Sequence, residues 1–539
     1  MKNAIQTLSS GLHPFAARLF LTIFLAFALT ASQAQTTDLT AGFRHIPADA
    51  EQVYSINLST LLAKADFKAL FDLAQKQNLG KDMNMSFLKD IFNSGIDFRQ
   101  EIIIAVKPGG APDSPSYTTG ILHLTDSAKF VAFTRENNKD MHIVHQPAKD
   151  RVASSGKQVW AWNDKFLVLV MYKTPKGKPV DPNAILQYRA VAVRKAVAAL
   201  HGFDRSLYVT DQDFKAGFSD DADIHIWNKY GAAFGALSKA MQMTPAGATP
   251  QAQGFSQIMK SAGKVHTLTT IRFDAGKIVL HSTRFTTGED SSIATRISSQ
   301  PVDESILASV PPGKLLGLYA VHYSFAPVLE SLAKYGMKEK IDSGLQKMGL
   351  TTQDITHAFK GDLLVLCYAP DTGKTPQIFV AATIDDRAAF DKIITIMKLG
   401  ASGDTAKKHF DPHFAIQNNI VVFAKSQAMA DNYFTHPSAN STPSRLLTGR
   451  SRADANFLAI DFHVGADYLS QVLTKGDTLA AKDKQLLDIV RQFDSFSLMG
   501  GRVQGGRQQA VFEIKFTDAN KNSLASLLGI VTTAATKMK

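Results

Sequence analysis

The sequence predicts an α+β protein of mostly antiparallel sheets with helices packed on one face, and three observations lead there. Apolar, strand-like runs recur, joined by turns of two or three residues, and links that short demand antiparallel pairing because a parallel crossover needs a dozen residues or more. Helical stretches interrupt the strands without a regular strand–helix alternation, which separates α+β from the parallel α/β folds. The same order of elements also runs twice along the chain, so the predicted unit is internally duplicated.

Taken in order, residues 1–34 read as a signal peptide. Lys2 and Arg18 precede the apolar run Leu19–Leu29, which is too short to span a bilayer, and Ser32-Gln33-Ala34 supplies the small residues of a cleavage site. The competing reading is an uncleaved N-terminal anchor. No cysteine follows the run, which excludes a lipid-anchored lipoprotein. The sole cysteine, Cys367, sits in the apolar run Leu363–Tyr368, where it is expected to act as a small core hydrophobe.

The first repeat, residues 40–290, opens at Ile46-Pro47, and the second, residues 300–539, at Val310-Pro311-Pro312. Each start is a proline turn leading into a strand. An amphipathic helix follows in both, through Leu58, Leu61 and Leu62 in one and Phe325, Val328 and Leu329 in the other. Next come the apolar runs Glu101–Val106 and Leu363–Tyr368, then a Gly/Pro/Asp-rich turn. A strand follows (Tyr117–Leu124, Ile378–Ile384), and a short helix opens at Asp126 and Asp386. Trp160–Leu169 and Phe414–Phe423 each form a hairpin about a polar turn. Asn456–Asp461 is paired with Ala222–Trp227, which sets Asp461 at the place of Trp227. A hairpin then closes each half, about Asp274-Ala275-Gly276 and about Gln504-Gly505-Gly506. The run Leu524–Lys539 reads as a closing amphipathic helix that packs, and the joint falls in the polar stretch Thr286–Val302. The helix Ala184–Leu200, after the loop Thr174–Asp181, has no equal in the second half.

The Ile46-Pro47-x-Asp49-Ala50 start, the run Ala222–Trp227 and the Phe273–Ile278 hairpin resemble an uncharacterised family of exported Bacteroidota proteins. The resemblance covers most of the mature chain. It implies export and this fold, and it carries over no catalytic residue.

The formal charge is +11, of which the first 34 residues hold +2, leaving about +9 for the mature chain. That favours anionic envelope polymers or a membrane surface. The basic residues are scattered, with Lys407-Lys408 among the densest pairs, so nucleic acid is not a predicted partner. No later segment reaches 18 consecutive apolar residues, and the mature chain is expected to be soluble.

Candidate chemistry is weak throughout. His142-Ile143-Val144-His145 alternates across a strand, and Pro412 breaks the helix that His409 and His413 would need to share a metal. Ser331-Leu332-Ala333-Lys334 and Ser154-Ser155-Gly156-Lys157 have Ser-x-x-Lys spacing without a Lys-Thr-Gly partner. Gly500–Gly506 falls on a hairpin instead of a phosphate-binding turn. Trp160 and Trp162 share a strand face and could stack on sugar, but their counterparts Phe414 and Ile416 are apolar too, which favours core. Asp220-Asp221 and Asp385-Asp386 read as turn residues and strand exits. No catalytic, cofactor-binding or metal-binding residue is assigned, and no cofactor is expected. The function read from these observations is an exported envelope protein with a non-catalytic binding or scaffold role toward an anionic envelope polymer, a membrane surface or a protein partner, its binding face near the joint of the halves. The alternative is a periplasmic or secreted hydrolase of glycan or peptidoglycan with dispersed acids.

Overall fold

The computed structural model describes residues 41–65, 94–109, 114–137, 142–145, 150–175, 181–218, 220–229, 265–285, 296–297, 300–334, 337–370, 375–400, 413–435, 445–447, 454–474 and 480–537. The predicted signal peptide, His409 and Lys407-Lys408 lie outside them. The chain is α+β and forms two compact units. The first comprises Met1–Ala232, Thr267–Ile278 and Asn520–Lys539, and the second Ala233–His266 and Val279–Ala519. Among the described residues, no helix is long and apolar enough to cross a membrane.

In the first unit the chain runs through β1 (Gln52–Ile56), α1 (Leu58–Lys64), β2 (Ile102–Lys107), β3 (Ser116–His123) and α2 (Ser127–Asn137). It continues with β4 (His142–His145), β5 (Arg151–Ser155), β6 (Gln158–Trp162), β7 (Phe166–Lys173) and α3 (Pro182–His201). Then come α4 (Leu207–Thr210), α5 (Gln212–Gly217), β8 (Ile224–Lys229) and β9 (His266–Asp274). Strand β1 is central, paired antiparallel with β2 on one side and β8 on the other. Asn57 starts α1 by accepting a hydrogen bond from the Thr60 N–H, which satisfies one of the helix's orphan donors. α3 starts at Asp181 with Pro182 in its first turn and ends at Gly202, whose φ of 78° suits glycine.

Side chains of β6 alternate between two helices. Val159 and Ala161 pack under Ala192, Ala196 and Ala199 of α3. Trp160 and Trp162 point the other way, beneath α2, where Phe130 meets Trp162 edge-on at 5.5 Å.

In the second unit β10 (Lys277–Phe285) is followed by α6 (Glu304–Ala308), β11 (Leu315–His322), α7 (Ala326–Lys334), α8 (Lys338–Lys347) and α9 (Thr352–Ala358). The run continues with β12 (Phe359–Tyr368), β13 (Gln377–Ile384), α10 (Arg387–Gly400), β14 (His413–Gln417), β15 (Ile420–Ala424) and α11 (Gln427–Thr435). It closes with β16 (Asn456–Asp461), α12 (Phe462–Leu473), α13 (Ala481–Val490), β17 (Phe493–Gly500) and β18 (Arg507–Phe516). A final helix, α14 (Ser523–Lys537), is assigned with the first unit.

Strand β11 holds the place of β1, between β12 and β16. Tyr54 pairs with Ile104 and Ile226, as Tyr319 pairs with Val365 and Leu458, so the two registers superpose residue by residue. The β14–β15 hairpin turns on Asn418 and Asn419, both left-handed at φ 50° and 61°, which is the turn twist that antiparallel strands favour. Phe414 and Ile416 lie under Phe390 of α10, as Trp160 and Trp162 lie under Phe130.

Register also corrects one alignment. Val53 pairs with Trp227 and its equivalent Leu318 with Ala459, so Ala459 stands at the place of Trp227. Asp461 is two residues further along. Spacing from the nearest apolar run cannot see that slip, whereas the strand on the other side of the pair settles it.

Candidate functional site

An antiparallel strand is expected to bury one face and turn a polar one to water. The strands around β11 do not. Leu318, Ala320, Leu364, Leu366, Ala381 and Phe457 fill one face and are almost fully buried beneath α6 and α11. The opposite face is apolar as well. Phe423, Val380, Val365, Tyr319, Leu458, Leu498 and Phe512 are successive cross-strand partners over seven strands. Six spacings of about 4.8 Å make that row roughly 29 Å long.

A second row runs beside it through Ile378, Cys367, Gly317, Ile460, Phe496 and Ile514. This face is only partly covered: in the second row Ile378 is 53% and Ile460 36% exposed, in the first Tyr319 is 38% exposed, and Leu363 beside them on β12 is 36% exposed. Helix α12 packs against β11 and β17 on this unit. At the middle of the second row Gly317 leaves a notch, since a Cβ there would meet the Ala459 carbonyl oxygen at 3.1 Å. Tyr319 and Cys367 are the titratable side chains of the two rows, and burial pushes the Cys367 thiol up. A surface of this kind holds a ligand by apolar contact and offers no general acid or base. Ile378, Tyr319, Leu363 and Ile460 are exposed large apolar side chains on one sheet face, and a cluster of that kind marks a binding site more often than chance exposure does.

Three polar clusters compete for attention. In the first unit Ser55, paired across the strands with His225, donates through Oγ to Glu101, and His225 bonds Asp220. Phe218 stacks on the His225 ring at 5.0 Å. Serine, histidine and acid therefore meet, a grouping that no sequence spacing announces because it joins residues 55, 101, 220 and 225. Yet Ser55 is 0% and His225 2% exposed, so the hydroxyl is closed in and spent on Glu101. Burial pushes the Glu101 carboxyl up, against the pull of Ser55 and His225.

The equivalent position in the second unit is Asp362, bonded to His322 Nδ1 at 2.9 Å, to Thr383 Oγ1 at 2.9 Å and to the Asp303 N–H at 3.0 Å. Burial pushes it up too, but these donors outweigh burial and hold it below the ordinary carboxylate range. In the third cluster Arg445 forks onto Asp461 and reaches Asp494 at 2.8 Å, while Asp461 caps α12 through the His463 and Val464 N–H groups. Each of these carboxylates is taken up by a structural donor. An open cleft of about 420 Å³ on the first unit is lined by Lys107, Lys195, Tyr117 and Tyr188. Both lysines there already face Asp49, at 4.0 and 3.9 Å, so little net field remains for an anion.

The residues singled out in the sequence are placed as follows. Trp160 and Trp162 line the core beneath α2, so they offer no sugar platform. His142 and His145 lie on β4, at the register positions of Ser154 and Arg151. His413 begins β14. Ser331 and Lys334 lie in α7, and Ser154 to Lys157 form the end of β5 and its turn into β6. Gly500–Gly506 joins β17 to β18 as a hairpin, closed by reciprocal bonds between Gln504 and Arg507 at 2.8 and 2.9 Å. Asp386 caps α10 through the Ala388 and Ala389 N–H groups. The apolar rows were missed because a strand apolar on both faces reads as buried on both.

No family model and no curated protein matches the chain. Among solved structures it is similar to TP0453, a Treponema protein, in two crystal forms. With crystal form I the identity is 8% and the TM-score 0.24, over 49% of this chain and 87% of that one. With crystal form III the identity is 7% and the TM-score 0.24, over 48% of this chain and 88% of that one. A likeness so slight carries no argument about fold or function.

Proposed function

We propose that this chain is an exported, non-catalytic binding protein of the bacterial envelope, and that the apolar sheet face of its second unit receives a molecule bearing a long alkyl chain. The observation that carries the reading is the pair of apolar rows across β11–β18, partly open along their length. An occupant that takes about 300 Å² of apolar surface out of water gains roughly 7 kcal/mol before the cost of ordering, enough for useful affinity. Supporting the wider reading are the signal-like residues 1–34, repeats at 40–290 and 300–539, and the family resemblance carried by Ile46-Pro47. The basic surface suits an anionic head group or envelope polymer. Residence in the periplasm or outside the cell follows from export.

The rival, a hydrolase of glycan or peptidoglycan with dispersed acids, needs a carboxylate pair facing open space. Glu101 and Asp362 face Ser55 and His322 instead.

Cys367 supplies a built-in reporter, being the sole cysteine and lying in the second row beside Ile378. Titration with a fluorescent long-chain fatty acid should give saturable binding, and bound probe should slow modification of Cys367 by a thiol reagent several-fold. Absence of saturable binding, or binding that leaves the Cys367 rate unchanged, would remove the reading.

A further inference from the structure

We propose that the open cleft of the first unit is a saccharide site, which takes a neutral sugar through two adjacent hydroxyls. The inference concerns the first unit alone and is independent of the apolar face of the second.

The cleft exists because α3 is longer than the core beneath it requires. The helix has 20 residues, and its buried side chains, Ala192, Ala196, Ala199 and Leu200, all lie in its second half, over β6 and β7. In the second unit α11, the helix that precedes β16, has nine residues. The first half of α3 therefore runs on past the core. Gln187, Val191 and Lys195 recur every fourth residue and share one face of the helix, with Tyr188 beside them. That face borders the cleft together with Lys107 at the end of β2, its cross-strand partner Tyr117 on β3, and Asp49 in the turn ahead of β1. The enclosed volume, about 420 Å³, is of the size that small ligands occupy.

Three charged groups converge there without touching. The Asp49 carboxylate is 4.0 Å from Lys107 Nζ and 3.9 Å from Lys195 Nζ. A charge-assisted N–H···O bond closes to about 2.7–2.9 Å, so neither lysine makes one with it. Among the described residues nothing else donates to that carboxylate, and its side chain is 52% exposed. A hydroxyl spans a gap of this kind, since it accepts from the ammonium and donates to the carboxylate. Two such gaps flank one carboxylate, which suits two neighbouring hydroxyls of a sugar ring. Lys107 also faces Glu51 at 3.5 Å, so two cations stand against two anions and a charged ligand gains little. The remaining wall is aromatic. Lys195 Nζ sits 5.3 Å from the centre of the Tyr117 ring, and Tyr188 meets Tyr172 edge-on at 6.3 Å, which fixes its half-buried ring at the cleft. Aromatic faces beside a few placed polar groups match a ring with apolar C–H faces and a polar rim.

The test is calorimetric titration of the full mature chain with cellobiose, maltotriose and N,N′-diacetylchitobiose, and with inorganic phosphate as the anionic probe. At least one saccharide should bind saturably with a Kd of about 1 mM or tighter. Its affinity should hold in ~0.5 M salt, because no net charge is neutralised. Asp49→Asn and Tyr188→Ala should each weaken it about tenfold. Urea midpoints check that both variants fold, and Asp49→Asn, at an exposed side chain, serves if Tyr188→Ala does not. Absence of saturable binding by all three saccharides, or binding that Asp49→Asn leaves unchanged, would overturn the proposal. So would phosphate binding that tightens in Asp49→Asn without saccharide binding, which would make the two lysines an anion site.

Discussion

The two units share a register and differ in what one sheet face presents. In the first, the row equivalent to Ile378, Cys367, Gly317 and Ile460 reads Thr118, Val106, Gln52 and Asn228. The other face is apolar and buried at most equivalent places, Val53 with Leu318 and Trp227 with Ala459, though Ser55 stands where the second unit has Ala320. Folding therefore asks much the same of both units where the core is, and leaves the second face free to diverge. An apolar row kept partly open in one copy, where the other copy carries Thr118, Gln52 and Asn228 around Val106, is the mark of a surface used for something other than stability.

Where the units agree, substitution should cost both alike. Trp162→Ala, beneath α2, is expected to destabilise the first unit by about 4 kcal/mol, and Ile416→Ala, beneath α10, the second by about 2 to 3 kcal/mol, both read from urea midpoints. A first-unit loss below ~1 kcal/mol would mean that Trp162 is not the core residue its place implies. Where the units differ, the effect should fall on one function. Ile378→Asp with Ile460→Asp should weaken fatty-acid binding about a hundredfold, roughly 2.7 kcal/mol, and cost less stability than a core change because Ile378 is 53% and Ile460 36% exposed. Asn228→Asp and Thr118→Asp, at the matching places, should leave binding intact. Gly317→Gln, which reproduces the first unit's Gln52, should fill the notch and block the row. Equal loss from both sets would show that the face does not discriminate between units.

Much of this architecture was legible in the sequence, and the limits are physical. The Asn418-Asn419 turn and the Trp160/Phe414 and Trp162/Ile416 equivalences could be read because a hairpin's register follows from its turn and its period of two. The Trp227 alignment slipped because β8 and β16 pair with strands far away in sequence, where no turn sets the register. The closing helix was legible as amphipathic, but a periodic stripe says that a face is buried and not against which helix. The open apolar face was invisible for a similar reason. Leu363–Tyr368 has the composition of a strand covered on both sides, and only the exposure of Ile378, Tyr319 and Ile460 shows that it is not. The Ser55–Glu101–His225–Asp220 grouping joins residues up to 170 positions apart, and distance of that kind leaves no local pattern.

The buried acids sharpen the comparison at the scale of single side chains. Glu101 and Asp362 occupy one register position, yet burial holds the first above its ordinary range, whereas donors hold the second below it. Neutralising each should have opposite consequences at pH 7. Asp362→Asn leaves His322 and Thr383 without their anionic partner and is expected to cost roughly 2 kcal/mol. Glu101→Gln removes a carboxylate the fold disfavours and should be neutral or stabilising by up to ~1 kcal/mol. Thermal midpoints of the two variants at neutral pH decide it, and a shift of the same sign in both would show that their surroundings do not differ as described.

Acid titration carries the same contrast to the units as wholes, with smaller effects. Asp303 and Asp354 are held near a pKa of about 2 by Lys360 and Lys392, and Asp362 and Asp494 also lie below the usual value, all four in the second unit. A carboxylate whose folded pKa is depressed contributes stability above its unfolded pKa, about 3.9, and that contribution is lost as pH falls through the folded value. Glu101 behaves in reverse, since its penalty vanishes as pH drops below about 4.3, the unfolded value; Asp220 offsets part of that gain. Between pH 4 and 2 the second unit should therefore lose stability faster than the first. All three tryptophans, Trp160, Trp162 and Trp227, lie in the first unit, and the sole cysteine lies in the second, so each unit carries its own optical handle. On acidification in moderate urea, a fluorophore on Cys367 should report unfolding at a higher pH than tryptophan emission does. If the tryptophan signal moved first, the depressed carboxylates of the second unit would not be the groups that govern its acid stability.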